Sequence, residues 1–307
     1  MNLVLIKVSS FLSIIIAGML AGRTGKLGRR TGEAISKIVF NFTLPAAIVH
    51  AFGSANFTPD MLLLVPLGLI CALCPYLITY VVTRHSSHDD RILYLMNISG
   101  FNIGSFGLPF VQAFFPASTV VAACMFDAGN ALMMTGGTYA VTRVLTSGNH
   151  INHPIQTIIR RLLSSIPFDS YLVLISMAIV GLRVPQAIVA FTEPMANANG
   201  FLSMFMLGLM VSFSINEDRL HKLINLMSGR IVFSLVMSVA AFKLLPFSSG
   251  IRYIIAVLLW APMGSMGPVF TLWEHSDHGL AGLANTISIF FSIIAMTAIT
   301  VAYGTIS

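Results

Sequence analysis

Charged side chains are scarce in this 307-residue chain, in which Asp, Glu, Lys and Arg together make up only 9% of the residues. A soluble domain usually carries about 25% charged residues, so a water-facing surface of ordinary composition is excluded. Hydrophobic residues make up 56% of the chain, and the mean hydropathy is +0.86. The surface is therefore expected to face a lipid bilayer.

The sequence also lacks the motifs of several other function classes. The net charge is +6, but no basic face with interleaved aromatic residues is present, so nucleic acid is not an expected partner. There is no ATP-binding P-loop, which excludes primary pumping by this chain alone. Cys71-x-x-Cys74 lies in an apolar run without a second ligand pair, and small apolar packing explains it better than a metal site. We expect no resident metal or organic cofactor.

Long apolar segments follow one another along the chain. A membrane span needs about 20 mostly apolar residues. The first segment lacks a basic n-region and a small-residue cleavage site, so we interpret it as a span and not a signal peptide. Ten spans are predicted, near residues 3–22, 36–53, 60–83, 92–114, 118–144, 168–184, 186–213, 223–245, 250–273 and 280–305.

Basic residues are distributed unequally between the two sides of this arrangement. The loops after the odd-numbered spans contain thirteen Lys and Arg, and the other side contains three (Arg183, Lys243 and Arg252). Cytoplasmic loops collect Lys and Arg, so both termini are predicted to lie outside a cell membrane. The thirteen are Arg23, Lys26, Arg29, Arg30, Lys37, Arg84, Arg91, Arg143, Arg160, Arg161, Arg219, Lys222 and Arg230.

One short motif occurs twice, in the fourth and ninth spans. Residues 104–110 read Gly-Ser-Phe-Gly-Leu-Pro-Phe, and residues 264–270 read Gly-Ser-Met-Gly-Pro-Val-Phe. Five spans separate the copies, and an odd number turns the second half upside down relative to the first. We therefore predict two inverted five-helix repeats, at 1–145 and 167–307, joined by a cytoplasmic linker at 146–166.

Glycine and proline interrupt helices, and in hydrocarbon an interruption survives only where protein or a water-filled cavity satisfies the backbone. Paired interruptions in two half-chains mark transporter binding sites. We predict breaks at 107–109 and 267–268. Helix C-termini near Gly104 and Gly264 would attract a cation or an N–H donor, and N-termini near Phe110 and Val269 would attract an anion.

Polar residues and helix breakers in three spans are the candidate substrate-binding residues. In the second span, Pro45 removes a hydrogen bond to the carbonyl of Asn41, so either a cavity-facing kink or a packing kink is expected. In the second copy of the motif, Pro262 stands at the position equivalent to Asn102. The full candidate set is Asn41, Pro45, Asn102, Ser105, Gly107, Pro109, Gly264, Ser265, Gly267 and Pro268.

Asp127 is an acid in the middle of the fifth span, and Asn130 shares its helical face. Intramembrane acids are costly and are functional by default. No Lys or Arg is expected at the same depth, so we predict that Asp127, with Asn130, binds a coupling ion, either H⁺ or Na⁺. The alternative is a neutral structural acid.

The chain resembles the auxin efflux carrier family of membrane transporters, in its bacterial form. The resemblance is carried by residues 41–46 (Asn-Phe-Thr-Leu-Pro-Ala), residues 102–109 (Asn-Ile-Gly-Ser-Phe-Gly-Leu-Pro) and Leu207-Gly208. In the seventh span, residues 199–203 (Asn-Gly-Phe-Leu-Ser) replace the family's apolar run that opens with proline.

The resemblance implies an all-α fold like those of bile-acid/sodium symporters and sodium/proton antiporters, with crossed broken helices 4 and 9. It also implies a scaffold domain (spans 1, 2, 6 and 7), a transport domain (spans 3–5 and 8–10), and a mono- or dicarboxylate such as malate or malonate as substrate. A secondary transporter of small organic anions is thus the main hypothesis. A channel or sensor on the same fold, or an intramembrane enzyme, is the alternative. The sequence leaves open the exact substrate, the direction of transport and whether the protein forms a homodimer.

Overall fold

The computed structural model describes residues 2–25, 27–54, 57–147, 156, 159–160, 162–211 and 219–304. These residues are almost entirely helical, and the β-structure within them is one isolated bridge. The all-α prediction is confirmed. The predicted linker at 146–166 lies mostly outside the described residues.

The first half of the chain forms five helical segments. Four of them contain a π or 3-10 turn, and the fourth segment is also interrupted. They are α1 (Asn2–Arg23), α2 (Arg29–Ile38, the π turn Val39–Thr43 and Leu44–Ser54), α3 (Pro59–Leu63, Leu64–Val82 and Thr83–His85), α4a (His88–Ile98), α4b (the π turn Ile103–Gly107 and Leu108–Phe114) and α5 (Ala117–Leu132, the π turn Met133–Gly137 and Thr138–Ser147).

The second half also forms five helical segments, and its fourth segment is interrupted as well. The helices are α6 (Ile166–Ile179), α7 (Gln186–Leu209), α8 (Leu220–Leu244), α9a (Ser249–Leu258), α9b (Gly267–Trp273) and α10 (His278–Gly304). The sixth predicted span ends early, at Ile179, because Gly181 turns the chain at φ +75° and Pro185 follows.

Five of the described helices are long and apolar enough to cross a membrane. They are Val4–Arg23, Arg30–Ser54, Pro59–His85, Leu220–Leu244 and His278–Ala302. The protein is therefore a multi-pass membrane protein by helix length and composition, while the ten-span count stays a prediction.

Close helix packing depends on glycines at two contacts. A Cβ on Gly68 or Gly129 would strike the backbone of the facing helix, so α3 and α5 pack backbone to backbone. Gly18 and Gly208 bring α1 and α7 together in the same way. Small residues allow this approach in membrane helices, where dispersion replaces the hydrophobic effect as the driving force.

The first helix break lies nearer the N-terminus than the motif predicted. Helix α4a ends at Ile98, Gly100 adopts φ +74°, and α4b begins at Ile103, so the predicted break at 107–109 is wrong. Pro109 is instead tolerated because it stands in the first turn of an α-helix, where its missing N–H costs little. The second break spans 259–266 and α9b starts at Gly267, so the predicted break at 267–268 is wrong too, although this helix start lies close to the expected N-terminus near Val269. The helix C-termini at the two breaks are Ile98 and Leu258, and not near Gly104 and Gly264 as predicted.

The Leu-Pro pairs of the second and fourth segments each follow a π turn. Val39–Thr43 precedes Leu44-Pro45, and Ile103–Gly107 precedes Leu108-Pro109. A proline ring clashes with the carbonyl four residues earlier, and a wider turn moves that carbonyl away. The kink predicted at Pro45 thus takes the form of a π turn.

Candidate substrate site at the crossing of two interrupted helices

The two helix breaks meet each other in the core. Phe101 and Met263 form an antiparallel bridge, and the Asn102 N–H donates a 2.9 Å hydrogen bond to the Pro262 carbonyl. Each break thereby satisfies part of the backbone of the other, as a buried interruption requires. The crossing implied by the resemblance is therefore present in the described residues.

Asn130 holds the first break from α5. Its Nδ2 donates to the Phe101 carbonyl at 2.8 Å, and its Oδ1 accepts from the Phe101 N–H at 2.9 Å. One side-chain amide thus replaces the two backbone partners that Phe101 loses outside a helix. Asn130 acts on the break directly, in addition to the ion-coupling role predicted from its place beside Asp127.

Asp127 lies next to this amide and is 6% exposed. Its Oδ1 accepts from Asn130 Nδ2 at 2.9 Å, and its Oδ2 accepts from the Tyr171 hydroxyl at 2.7 Å. A Cβ added to Gly104 would lie 3.6 Å from Oδ2. The carboxyl group therefore faces the start of α4b and is held by one neutral donor from its own helix and one from α6.

Arg230, on α8, donates to carbonyls of both breaks. Its two terminal nitrogens contact the carbonyl oxygens of Ile98, Gly100, Ala261 and Pro262 at 2.8–3.1 Å, and the guanidinium carbon lies 4.6 Å from the Phe101 ring centroid. The basic-residue count placed Arg230 in a cytoplasmic loop, and no basic residue was expected at the depth of Asp127. Both expectations are wrong, because Arg230 lies inside the buried crossing.

Side chains of α10 satisfy the second break. Asn285 Nδ2 donates to the carbonyls of Met263 and Gly264 at 3.2 Å, and Ser288 Oγ accepts from the Met263 N–H at 3.0 Å. The polar side chains of the crossing thus fall into two groups. The side chains of the first group, which includes Asn285 and Ser288, form hydrogen bonds with the backbone of the breaks.

A second group has hydrogen-bonding atoms without a protein partner. Asn102 Nδ2 and Ser105 Oγ, both buried at the start of α4b, have none among the described residues. Asn199 Nδ2 and Ser203 Oγ, buried one helical turn apart on α7, have none either. Most buried polar groups are hydrogen-bonded, so each exception needs an explanation such as a ligand.

Contacts on α2 place the α7 pair beside the α4b pair. The Thr43 hydroxyl donates to Asn199 Oδ1 at 2.9 Å, which leaves the Asn199 amide nitrogen as the unused donor. The next residue, Leu44, packs against Gly104, which precedes Ser105. Sequence reasoning treated Asn199 and Ser203 only as a departure from the family pattern. Their spacing of four on one helical face was the signal that could have identified them.

A cavity of about 400 Å³ opens near these donors, between α1, α2, α4b and α7. Pro109, Gln112, His50 and Asn197 line it. Pro109 follows Ser105 by one helical turn, about 6 Å of helix rise. The four unpartnered donors do not line this cavity themselves, but its volume suits a small ligand.

The other predicted site residues lie in different surroundings. Asn41 is exposed, and the structure does not bring it to the crossing. Pro45 and Gly107 are buried, while Ser265 and Pro268 are half-buried. Gly264 packs against Met134, and Gly267 packs against Asn97, so protein contacts explain why these two positions lack a side chain.

The family model for membrane transport proteins matches residues 3–300. The chain belongs to the auxin efflux carrier family. This membership confirms the resemblance stated from the motifs and makes the protein a membrane transporter; the family is not an enzyme family. No curated protein matches the chain.

Proposed function

We propose that this protein is a secondary transporter of small organic anions, mono- or dicarboxylates such as malate or malonate, and that it works by alternating access. The observation that carries the proposal is a set of four buried polar atoms that have no hydrogen-bond partner among the described residues: the amide nitrogens of Asn102 and Asn199 and the hydroxyl oxygens of Ser105 and Ser203. Two amide groups and two hydroxyl groups can donate hydrogen bonds to the oxygens of a carboxylate.

The charge of the crossing favours an anion over a cation. Helix α4b begins there with its backbone N–H groups directed at the break, while the charge of the buried Arg230 guanidinium is offset by the carbonyls that it contacts. The N-terminus of a helix carries partial positive charge and is a common anion-binding element. A cationic substrate would meet unsatisfied donors and a positive field at the same point.

Two ion pairs between the starts of helices support the proposed arrangement of ten spans in two inverted repeats. Arg219, before α8, forms a 2.8 Å ion pair with Asp277, before α10, and Lys222 pairs with Asp90, at the start of α4a. These three helix starts therefore lie on one side, which is the side that we propose faces the cytoplasm. Moving Arg230 into the membrane still leaves twelve basic residues in the loops of that side against three on the other.

Uptake into proteoliposomes tests the function, with labelled malate and malonate as the first probes. A carrier saturates and shows counterflow, and a channel does neither. Asn102→Ala is expected to weaken half-saturation about 10- to 100-fold, since a hydrogen bond to a charged group contributes about 1.5–3 kcal/mol.

Asn97→Ala is the matched control. Asn97 is buried near the end of α4a, just before the same break, but its amide already donates to the Leu93 carbonyl and the Thr271 hydroxyl, both at 2.8 Å. This variant is expected to lose stability and keep its affinity. Equal affinities in wild type and Asn102→Ala would remove Asn102 from the site, and uptake without saturation or counterflow would favour the channel.

A further inference from the structure

Arg230 lies where a mobile cation was expected. The C-terminal ends of α4a and α9a converge at the crossing, and each helix end carries about half a negative charge on its free carbonyls. In transporters with broken helices, such carbonyls commonly coordinate Na⁺ or interact with H⁺. The carbonyls of Ile98, Gly100, Ala261 and Pro262 instead accept hydrogen bonds from one guanidinium.

The balance of charge around Arg230 is provided by these carbonyls. The side chain is 7% exposed, and no carboxylate lies within ion-pair distance of it in the described parts of the chain. Two half-charges from the helix ends offset about one positive charge. The planar fork of arginine spreads its donors over two acceptor pairs, which the point charge of lysine cannot do.

We propose that Arg230 is a fixed cation that takes the place of a mobile one: it holds both broken helices together and leaves Na⁺ without a binding site at the crossing. Arg230 is thus a positioning residue, acting through the carbonyls on which the substrate donors of α4b are mounted. The consequence for transport rests on the proposed function and is that anion uptake needs no Na⁺. The second consequence, that Na⁺ does not bind at the crossing, does not rest on the proposed function.

The first experiment measures the melting temperature of the purified protein in detergent. NaCl is exchanged for N-methyl-D-glucamine chloride at constant ionic strength, with no substrate present. We expect the melting temperature of the wild type to be independent of Na⁺. A saturable rise with Na⁺ would overturn the proposal.

The second experiment removes the side chain and adds back its functional group. Arg230→Ala is expected to lower the melting temperature by about 5–10 °C, because it removes the guanidinium from four buried carbonyls, of which Pro262 keeps the Asn102 N–H as a donor. Millimolar guanidinium should restore part of this loss saturably, and urea, which is planar but neutral, should not. Na⁺ should also stabilise this variant, since it reopens the carbonyl site.

Arg252→Ala is the matched control, because Arg252 donates to a single carbonyl, that of Phe242, at 3.2 Å. A small loss without guanidinium rescue is expected for it. If Arg230→Ala is as stable as Arg252→Ala and is not rescued, the proposal fails. If Arg230→Ala does not fold, Arg230→Lys takes its place: it keeps the charge, so it should remain insensitive to Na⁺, and a Na⁺ response in it would also contradict the proposal.

These measurements separate the two proposals. Absence of carboxylate transport would remove the proposed function and leave the melting data intact. Na⁺-dependent carboxylate uptake by the wild type would overturn the role of Arg230 and support the proposed function.

Discussion

Asn102 and Pro262 occupy equivalent positions in the two copies of the repeated motif, and the N–H of Asn102 donates a 2.9 Å hydrogen bond to the carbonyl of Pro262. The pairing is unequal in chemistry. Pro262 has no N–H to return, while Asn102 contributes a side-chain amide whose nitrogen has no partner in the described part of the chain. The first repeat therefore provides the polar group of the crossing, and the second repeat provides an acceptor for its backbone.

Gly100→Ala tests how tightly the first break is built. Gly100 adopts φ +74°, and a Cβ there would lie 2.7 Å from the sulfur of Met134. Gly181 has nearly the same φ, +75°, with nothing within 4 Å of its Cβ position. Both alanine variants should lose roughly 1–2 kcal/mol to the left-handed conformation, and Gly100→Ala should lose about 1–3 kcal/mol more to overpacking.

Thermal or denaturant unfolding in detergent measures this difference. Adding Met134→Ala to Gly100→Ala should recover the overpacking part, because the obstructing thioether is gone. Equal losses at Gly100 and Gly181 would show that Met134 moves aside freely.

The sequence predicted the partners of this crossing better than its geometry. The repeated motif identified which two spans are interrupted and aligned Pro262 with Asn102, while only the family resemblance implied that the two interrupted helices cross. The position of the first break was missed, because a π turn lets Gly107-Leu108-Pro109 continue a helix. The positions of glycine and proline do not show whether the helix ends there or continues through a π turn.

The sequence also did not reveal that the charge of Arg230 is buried. Arg230 stands near the start of an apolar helix, where a basic residue usually marks the cytoplasmic end. Only the fold shows that the carbonyls of two distant segments, 98–100 and 261–262, converge on it. The sequence could identify Asp127 as a candidate functional residue, because an acid in the middle of an apolar span is costly and rare.

Tyr171→Phe tests the contact between α6 and Asp127. The variant removes the donor to Oδ2, and an unsatisfied buried acceptor costs about 1–3 kcal/mol. Tyr76→Phe is the control, because the Tyr76 hydroxyl bonds to the Thr142 hydroxyl at 2.9 Å, away from Asp127. Both should lower the melting temperature. Only Tyr171→Phe should change the dependence of uptake on pH, and unchanged pH profiles in both variants would make the Tyr171 contact structural.

Asp90 provides a pH-dependent contribution to stability outside the membrane-spanning segments. Partial burial raises the pKa of this carboxyl, but hydrogen bonds from Lys222 and Ser87 outweigh burial, so the pKa in the folded protein is lowered. A carboxyl with a lowered folded pKa stabilises the fold above its unfolded pKa, about 3.9, and loses this contribution as the pH falls through its folded pKa.

Asp90→Asn should therefore cost a constant amount, about 0.5–1 kcal/mol for a partly exposed pair, at neutral pH. The difference from wild type should shrink below about pH 4. Unfolding curves of both proteins over this range measure it, and added salt should reduce it at neutral pH. A difference that grows on acidification would contradict the assigned sign.

The last prediction concerns the coupling role of Asp127. Its two oxygens already accept hydrogen bonds from Asn130 and Tyr171. The guanidinium of Arg230 donates to four carbonyls of the crossing and not to Asp127. A bare charge at this depth costs roughly 2.5–3.5 kcal/mol on insertion scales, so a mobile ion must neutralise it if it ionises. With Na⁺ displaced from the crossing by Arg230, a proton is the expected ion.

Asp127→Asn keeps the shape and an acceptor for Tyr171, so the variant should fold, and its uptake should lose the pH dependence of the wild type. Asp169→Asn, in the first turn of α6, should retain that dependence. If the wild type responds to neither pH nor Na⁺ and Asp127→Asn transports at the same rate, Asp127 is a neutral structural acid. The carrier is then driven by the gradient of the anion and the membrane potential alone.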